Sequence, residues 1–123
     1  MRRTQFLILL PALLVLFCTS RMATAGNTLS VFPSCFNSGG YVAACNPYVT
    51  GGTGNYVSYY WQFTDTYTYP GQPAETYSYS GTSTDPWLQQ ACRGYVTVTV
   101  TVTDSQGETG TGTHSIICSG PPD

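Results

Sequence analysis

The sequence predicts an all-β fold: an antiparallel two-sheet sandwich of about seven short strands, pinned by two disulfides. Three observations carry that prediction. Residues 95–103 read Tyr-Val-Thr-Val-Thr-Val-Thr-Val-Thr, a strict period of two. Cys35, Cys45, Cys92 and Cys118 form an even set at spacings unlike a metal site. After Gly26 no window repeats apolar residues every three or four positions, because Gly, Pro and Thr interrupt each one.

The 123-residue chain opens with a block of different character. Arg2 and Arg3 precede an almost unbroken apolar run over residues 6–17, and Ala23 and Ala25 put small residues where a signal peptidase reads. Residues 1–25 are therefore expected to be a secretory signal peptide, and residues 26–123 a single secreted domain, extracellular or periplasmic. An apolar run of about 12 residues is short of the roughly 20 that cross a bilayer. Phe17 is too large to precede a lipidated Cys18, and no later segment is apolar enough to span a membrane.

Beyond residue 25, Arg93 is the only basic residue, against six acidic ones. One cation cannot neutralise a row of phosphates, so nucleic acid is not an expected partner, and anionic lipid surfaces are excluded on the same ground. Abundant Val, Ile and aromatic residues in periodic runs argue for folding over disorder.

The strands follow in order. Residues 28–36 form a first strand whose Pro33 suits a sheet edge. Gly39-Gly40 is a turn, residues 41–48 a second strand, and residues 51–55 a Gly-rich loop. Residues 56–63 form a third strand, with Val57, Tyr59, Trp61 and Phe63 on one face and Tyr56, Ser58, Tyr60 and Gln62 on the other. In residues 66–92, Tyr77 and Tyr79 lie on a strand, and Pro70, Gly71, Pro73 and Gly81 punctuate the segment. Residues 95–103 turn Val96, Val98, Val100 and Val102 inward. Asp104-Ser105-Gln106-Gly107 is a tight hairpin turn. Residues 108–118 return, with His114, Ile116 and Cys118 on the valine face.

That hairpin brings Cys92 and Cys118 within one residue of cross-strand register, so a local pairing is favoured: Cys92 with Cys118, Cys35 with Cys45. The rival joins Cys45 to Cys92 and Cys35 to Cys118, and three connectivities are open to four cysteines.

Part of the chain resembles a known family. Trp61-Gln62-Phe63-Thr64-Asp65-Thr66 resembles the W-x-F-G-D-G segment of PKD domains, a branch of the immunoglobulin-like sandwiches. Residues 94–107, a long alternating strand running into V-T-D-S-x-G, resemble the same family's sixth strand and turn. Cys45, Gly51-Gly52 and Trp61 together are similar to the second-to-third strand region of exported bacterial Ig-like domains. The resemblance spans residues 41–118. Thr64 and Thr66 stand where the family has glycine, Val96 stands where it usually has an inward tyrosine, and four cysteines are unusual for it. It implies an immunoglobulin-like sandwich that serves as a spacer, adhesion or binding module and is not itself a catalyst.

The residues agree on chemistry. His114 is the only histidine, and its inward parity reads as a packed, hydrogen-bonded side chain. The carboxylates are dispersed, and Asp65, Asp85 and Asp104 sit near expected turns. No catalytic constellation, cofactor or metal site is expected. Calcium would require Asp65 and Asp104 to share one end of the sandwich. The unusual feature is ten tyrosines. Not all can be buried in one small domain, and exposed aromatic faces stack on sugars and anchor protein partners. Tyr60, Tyr67, Tyr69, Tyr77 and Tyr79 are the expected ligand-binding residues, and a polysaccharide or cell-surface protein the expected partner. The alternative is an inhibitor of an extracellular hydrolase presenting a rigid loop, at residues 51–55 or 70–73.

Overall fold

In a computed structural model, residues 28–118 are described; the expected signal peptide lies outside them. The described chain forms seven strands: β1 (Ser30–Asn37), β2 (Val42–Thr50), β3 (Tyr56–Tyr67), β4 (Glu75–Ser83), β5 (Leu88–Ala91), β6 (Tyr95–Asp104) and β7 (Thr109–Ile117). They build two antiparallel sheets, ordered β1-β2-β5 and β4-β3-β6-β7. This is the expected two-sheet sandwich.

The inner face of the larger sheet is the core. Val96, Val98, Val100 and Val102 of β6 are wholly buried, as their alternation required. They lie opposite Asp65, Phe63, Trp61 and Tyr59 of β3, and β7 flanks them on the other side. Burying one valine contributes roughly 1.5–3 kcal/mol, so this ladder together with Trp61 and Phe63 supplies much of the apolar stability. From the smaller sheet, Ala43, Cys45 and Leu88 join it. The β6–β7 hairpin closes at Asp104–Gly107 as read: Gly107 N–H donates to the Asp104 carbonyl at 3.0 Å with φ of +85°.

The disulfides take the local pairing, Cys35–Cys45 across β1 and β2 and Cys92–Cys118 across the open end of the β6–β7 hairpin. Cys35 and Cys45 face each other in the β1–β2 register. Cys118 N–H donates to the Gly94 carbonyl at 2.7 Å, one step outside the ladder.

Four expectations need correction. The third strand runs on to Tyr67, because threonines in place of glycines leave nothing to break it at 64–66. Asp65 is consequently a buried strand residue, not a turn residue. Gly81 does not punctuate; it lies inside β4, with the Tyr79 hydroxyl where its Cβ would be. A bulge between Tyr56 and Ser58 moves Val57 out of the core face, where it is 44% exposed, and lets Tyr56 pack against the core instead.

β1 closes the sandwich against β7. Pro33 sits on this edge strand but faces inward and is fully buried. Cys35 N–H donates to His114 Nδ1 at 3.1 Å, and the Phe32 ring lies 5.1 Å from the imidazole. His114 is thus packed and hydrogen-bonded, its Nδ1 accepting from β1. The approach is close because Gly110 and Gly112 have no side chain. A Cβ on Gly112 would overlap the Val31 carbonyl and come within 3.0 Å of Pro33 Cδ.

Two predictions follow from this packing. Gly112→Ala must push β1 backbone aside and is expected to destabilise by about 1–3 kcal/mol in urea unfolding. Thr111→Ala, one residue away on the solvent face, should change stability by less than about 0.5 kcal/mol. The second concerns acid. Burial pushes the Asp104 carboxyl up, but N–H donors from Thr53, Glu108 and Gln106 and the Thr53 hydroxyl outweigh it, holding its pKa below the ordinary carboxylate value. A depressed folded pKa stabilises above the unfolded value of about 3.9 and loses that stabilisation as pH falls through the folded value. The stability gap between the native chain and Asp104→Asn should therefore be full at pH 6 and shrink below about pH 4, read from urea midpoints across pH.

Candidate functional site

The five tyrosines expected to bind ligand divide among three places. Tyr67 and Tyr69 lie where β3 runs out, at the end of the sandwich that also holds the β1–β2 turn and the β5–β6 turn. A cleft of about 760 Å³ opens there, walled by Tyr41, Tyr67, Tyr69, Arg93 and the backbone of Cys92 and Gly94. Tyr77 borders a smaller adjoining cleft with Gln90 and Arg93. Tyr79 lies further along β4, beside Phe63 in register. Tyr60 is on the opposite, outer face of the same sheet. The sequence-predicted set is therefore split: three members converge, Tyr79 neighbours them, and Tyr60 stands apart.

The cleft is built outward from Asp65. Its carboxylate, 2% exposed, accepts from Arg93 N–H at 2.7 Å and Gly94 N–H at 2.9 Å. This fixes the β5–β6 turn against β3. Gly94 makes the contact possible, since a Cβ there would overlap the Thr66 carbonyl and lie 2.9 Å from Tyr67 Cα. The Cys92–Cys118 disulfide anchors the same turn, and Cys92 N–H donates to the Tyr41 carbonyl at 2.9 Å.

On that base Arg93 organises the aromatic rings. Its guanidinium carbon lies 5.4 Å from the Tyr67 ring centroid, and Nη1 donates to the Tyr69 hydroxyl at 2.7 Å. The Tyr67 and Tyr69 rings meet edge to face, centroids 5.7 Å apart and planes at 69°. The Tyr67 hydroxyl donates to Glu75 at 3.4 Å. Opposite, Tyr41 takes a φ of +64°, the only non-glycine residue with positive φ among those described. Such a backbone is disfavoured for a side-chain-bearing residue and persists only where the surroundings impose it. Tyr69 and Tyr41 are each 46% exposed, so both rings face solvent across the cleft.

Sequence reasoning missed Tyr41 and Arg93. Arg93 carried a signal, as the one cation beyond residue 25, set between Cys92 and Gly94. Tyr41 carried only the preceding Gly39-Gly40, which does not reveal its own conformation.

The geometry also removes the premise of a calcium site. Asp65 pairs opposite Val96 and Asp104 opposite Tyr56, so the two carboxylates stand at opposite ends of β6. Each is occupied by backbone N–H donors. No group of three or more potential ligands is gathered among the described residues.

No family model matches the chain, and no curated protein does. Two solved structures are similar to it. The PKD1 domain of Vibrio anguillarum Epp aligns with a TM-score of 0.51 and 20% identity, over 76% of this chain and 96% of that one. The PKD1 domain of the Vibrio cholerae metalloprotease PrtV aligns at 20% identity and the same coverage, with a TM-score of 0.44. The likeness to the first is one of fold: the chain is a PKD-like, immunoglobulin-type β-sandwich.

Asp65 is the structural key to the cleft. Asp65→Ala leaves two amides without their acceptor, at about 1–3 kcal/mol for each buried one. It is expected to lower the urea midpoint and to speed amide exchange at Arg93 and Gly94, while the amides of Thr53 and Glu108 at the other end keep their protection.

Proposed function

We propose that the chain is an exported, non-catalytic module that binds a glycan or a cell-surface protein through exposed tyrosines, with the end cleft as its recognition site. The supporting observation is the cleft itself: Tyr41 and Tyr69 exposed and Tyr67 half-buried around a cavity of about 760 Å³, with Arg93 bracing the last two. Tyrosine offers a large flat ring and a polar tip at low conformational cost, a combination suited to sugar rings and to protein hot spots. Rings already held by Arg93 lose less freedom on binding, which favours affinity. Export accords with both disulfides, which form in oxidising compartments.

The inhibitor reading gains less support. The loop over residues 51–55 is held by Thr53 N–H to Asp104 at 2.9 Å and by the Tyr56 hydroxyl to the Gly51 carbonyl at 2.9 Å, the rigidity an inhibitory loop needs, but Gly-Gly-Thr-Gly-Asn offers no aromatic or charged side chain to anchor a partner.

Retention on a panel of insoluble polysaccharides and on intact cells tests the proposal. Tyr67→Ala/Tyr69→Ala should weaken retention about tenfold or more, since loss of roughly 1.4 kcal/mol is a factor of ten. Tyr77→Ala/Tyr79→Ala should have a smaller effect and Tyr60→Ala none. Unchanged retention in the first variant would rule the cleft out; a loss confined to Tyr60→Ala would move the site to the outer face.

A further inference from the structure

A sheet edge left open is a template for another strand, and proteins blunt edges with proline, lysine, bulges, short strands or covering segments. Three of the four edges here are blunted. β1 carries Pro33 and lies against β7, whose glycines admit its backbone. β7 is covered in turn by β1, through the Cys35–His114 hydrogen bond. β5 has only four residues.

β4 has none of these devices. Its nine residues, Glu-Thr-Tyr-Ser-Tyr-Ser-Gly-Thr-Ser, pair with β3 in unbroken register and contain no proline and no cation. β3 is its only neighbour in the sheet. β1 packs on β6 and β7 and β2 on β6, so the three-stranded sheet stops short of β4. Tyr77 and Tyr79, on the core-facing side of the sheet, are left 47% and 37% exposed for want of a cover.

We infer that β4 is a self-association edge, pairing antiparallel with β4 of a second copy into one continuous eight-stranded sheet. The inference is independent of what the cleft binds. Three observations select a second copy. The two-fold that joins two edges antiparallel in one sheet runs normal to it, so residues pair with residues of the same parity. Tyr77 and Tyr79 then meet their counterparts on one face, and Thr76, Ser78, Ser80 and Thr82 meet theirs on the other. Glu75 is the only charge on the strand and stands at its start, so the antiparallel pair places the two carboxylates at opposite ends. A parallel pair would set them together. Finally, the smaller sheet does not reach β4, so the tyrosines of both copies lie on an uncovered inner side with room for one another.

The outer face supports the same continuation. No charged residue points outward from β3, β4, β6 or β7. Hydroxyls pair across it, Thr99 with Thr113 and Thr101 with Thr111 at 2.9 Å. Such a face carries no charge to repel its own extension. The dimer would carry its two end clefts at opposite ends of the paired strands, roughly 30 Å apart along nine residues.

Light scattering on the protein recovered after export, over about 1–200 µM, tests the inference. The expected result is a mass rising to twice that of one chain. Ser78→Lys/Ser80→Lys, which sets like charges around the two-fold without touching the core, should return the mass to one chain with an unchanged β-sheet circular dichroism spectrum. Hydrogen exchange on the native protein gives a second readout that no variant can confound: β4 amides not bonded to β3 should become protected as concentration rises. A native chain that stays monomeric throughout, a lysine variant that keeps the double mass, or β4 amides that exchange at open-chain rates at the highest concentration would overturn it.

Discussion

The structure depends on β6 keeping its two faces apart. A strand at the centre of a four-stranded sheet, buried on one side and wet on the other, has a fixed register, because a slip of one residue would turn four valines to water and four threonines into the core. β3 and β7 inherit that register as its neighbours. Everything placed on them follows: Trp61 and Phe63 inward, Tyr60 outward, and Asp65 carried to the far end of the inner face.

Two buried aspartates then hold the ends of the sandwich, each by lending its carboxylate to backbone amides across the fold. Asp104 ties the 51–55 loop to the β6–β7 turn. Asp65 ties the β5–β6 turn to β3. The ends differ in what stands on top. Over Asp104 lie short hydroxyl side chains such as Thr53 and Ser105, 2.9 Å apart. Over Asp65 lie Arg93 and the tyrosines. A carboxylate satisfied by backbone donors is a positioning device, and here it leaves the chemistry of the surface to the side chains it has placed.

The fold was legible in the sequence where a single period ran long enough. The alternation of residues 95–103 gave the central strand, its faces and its turn, and through them the cysteine pairing. Legibility failed where a local device changed the period or where contacts crossed between sheets. The bulge at Val57 has no marker in Tyr-Val-Ser-Tyr, and one extra residue reversed the faces of Tyr56 and Val57. Gly81 looked like punctuation because the ring of Tyr79, which covers it, can be seen only in three dimensions. The candidate site was half legible. Composition marked the tyrosines as surplus to any core, but which of them meet depends on where β3 ends and on a turn 26 residues later in sequence than Tyr67, set by Asp65 and Cys92.

Arg93 shows what kind of surface the cleft is. The lone arginine among the described residues, set among carboxylates, looks at first like a trap for an anionic ligand. It is already engaged in part: Nη1 on the Tyr69 hydroxyl, the guanidinium carbon 5.4 Å from the Tyr67 ring centroid, the backbone N–H on Asp65. Glu75 reaches the same group of side chains through the Tyr67 hydroxyl, which places a carboxylate on the ring that Arg93 faces. An incoming anion would have to compete for a cation whose neighbours are aromatic or negative, with little net field to attract it. Arg93 is better understood as the strut that fixes two rings at a set angle. The cleft it supports is built to be filled by shape and stacking, and its selectivity would reside in the spacing of Tyr41, Tyr67 and Tyr69.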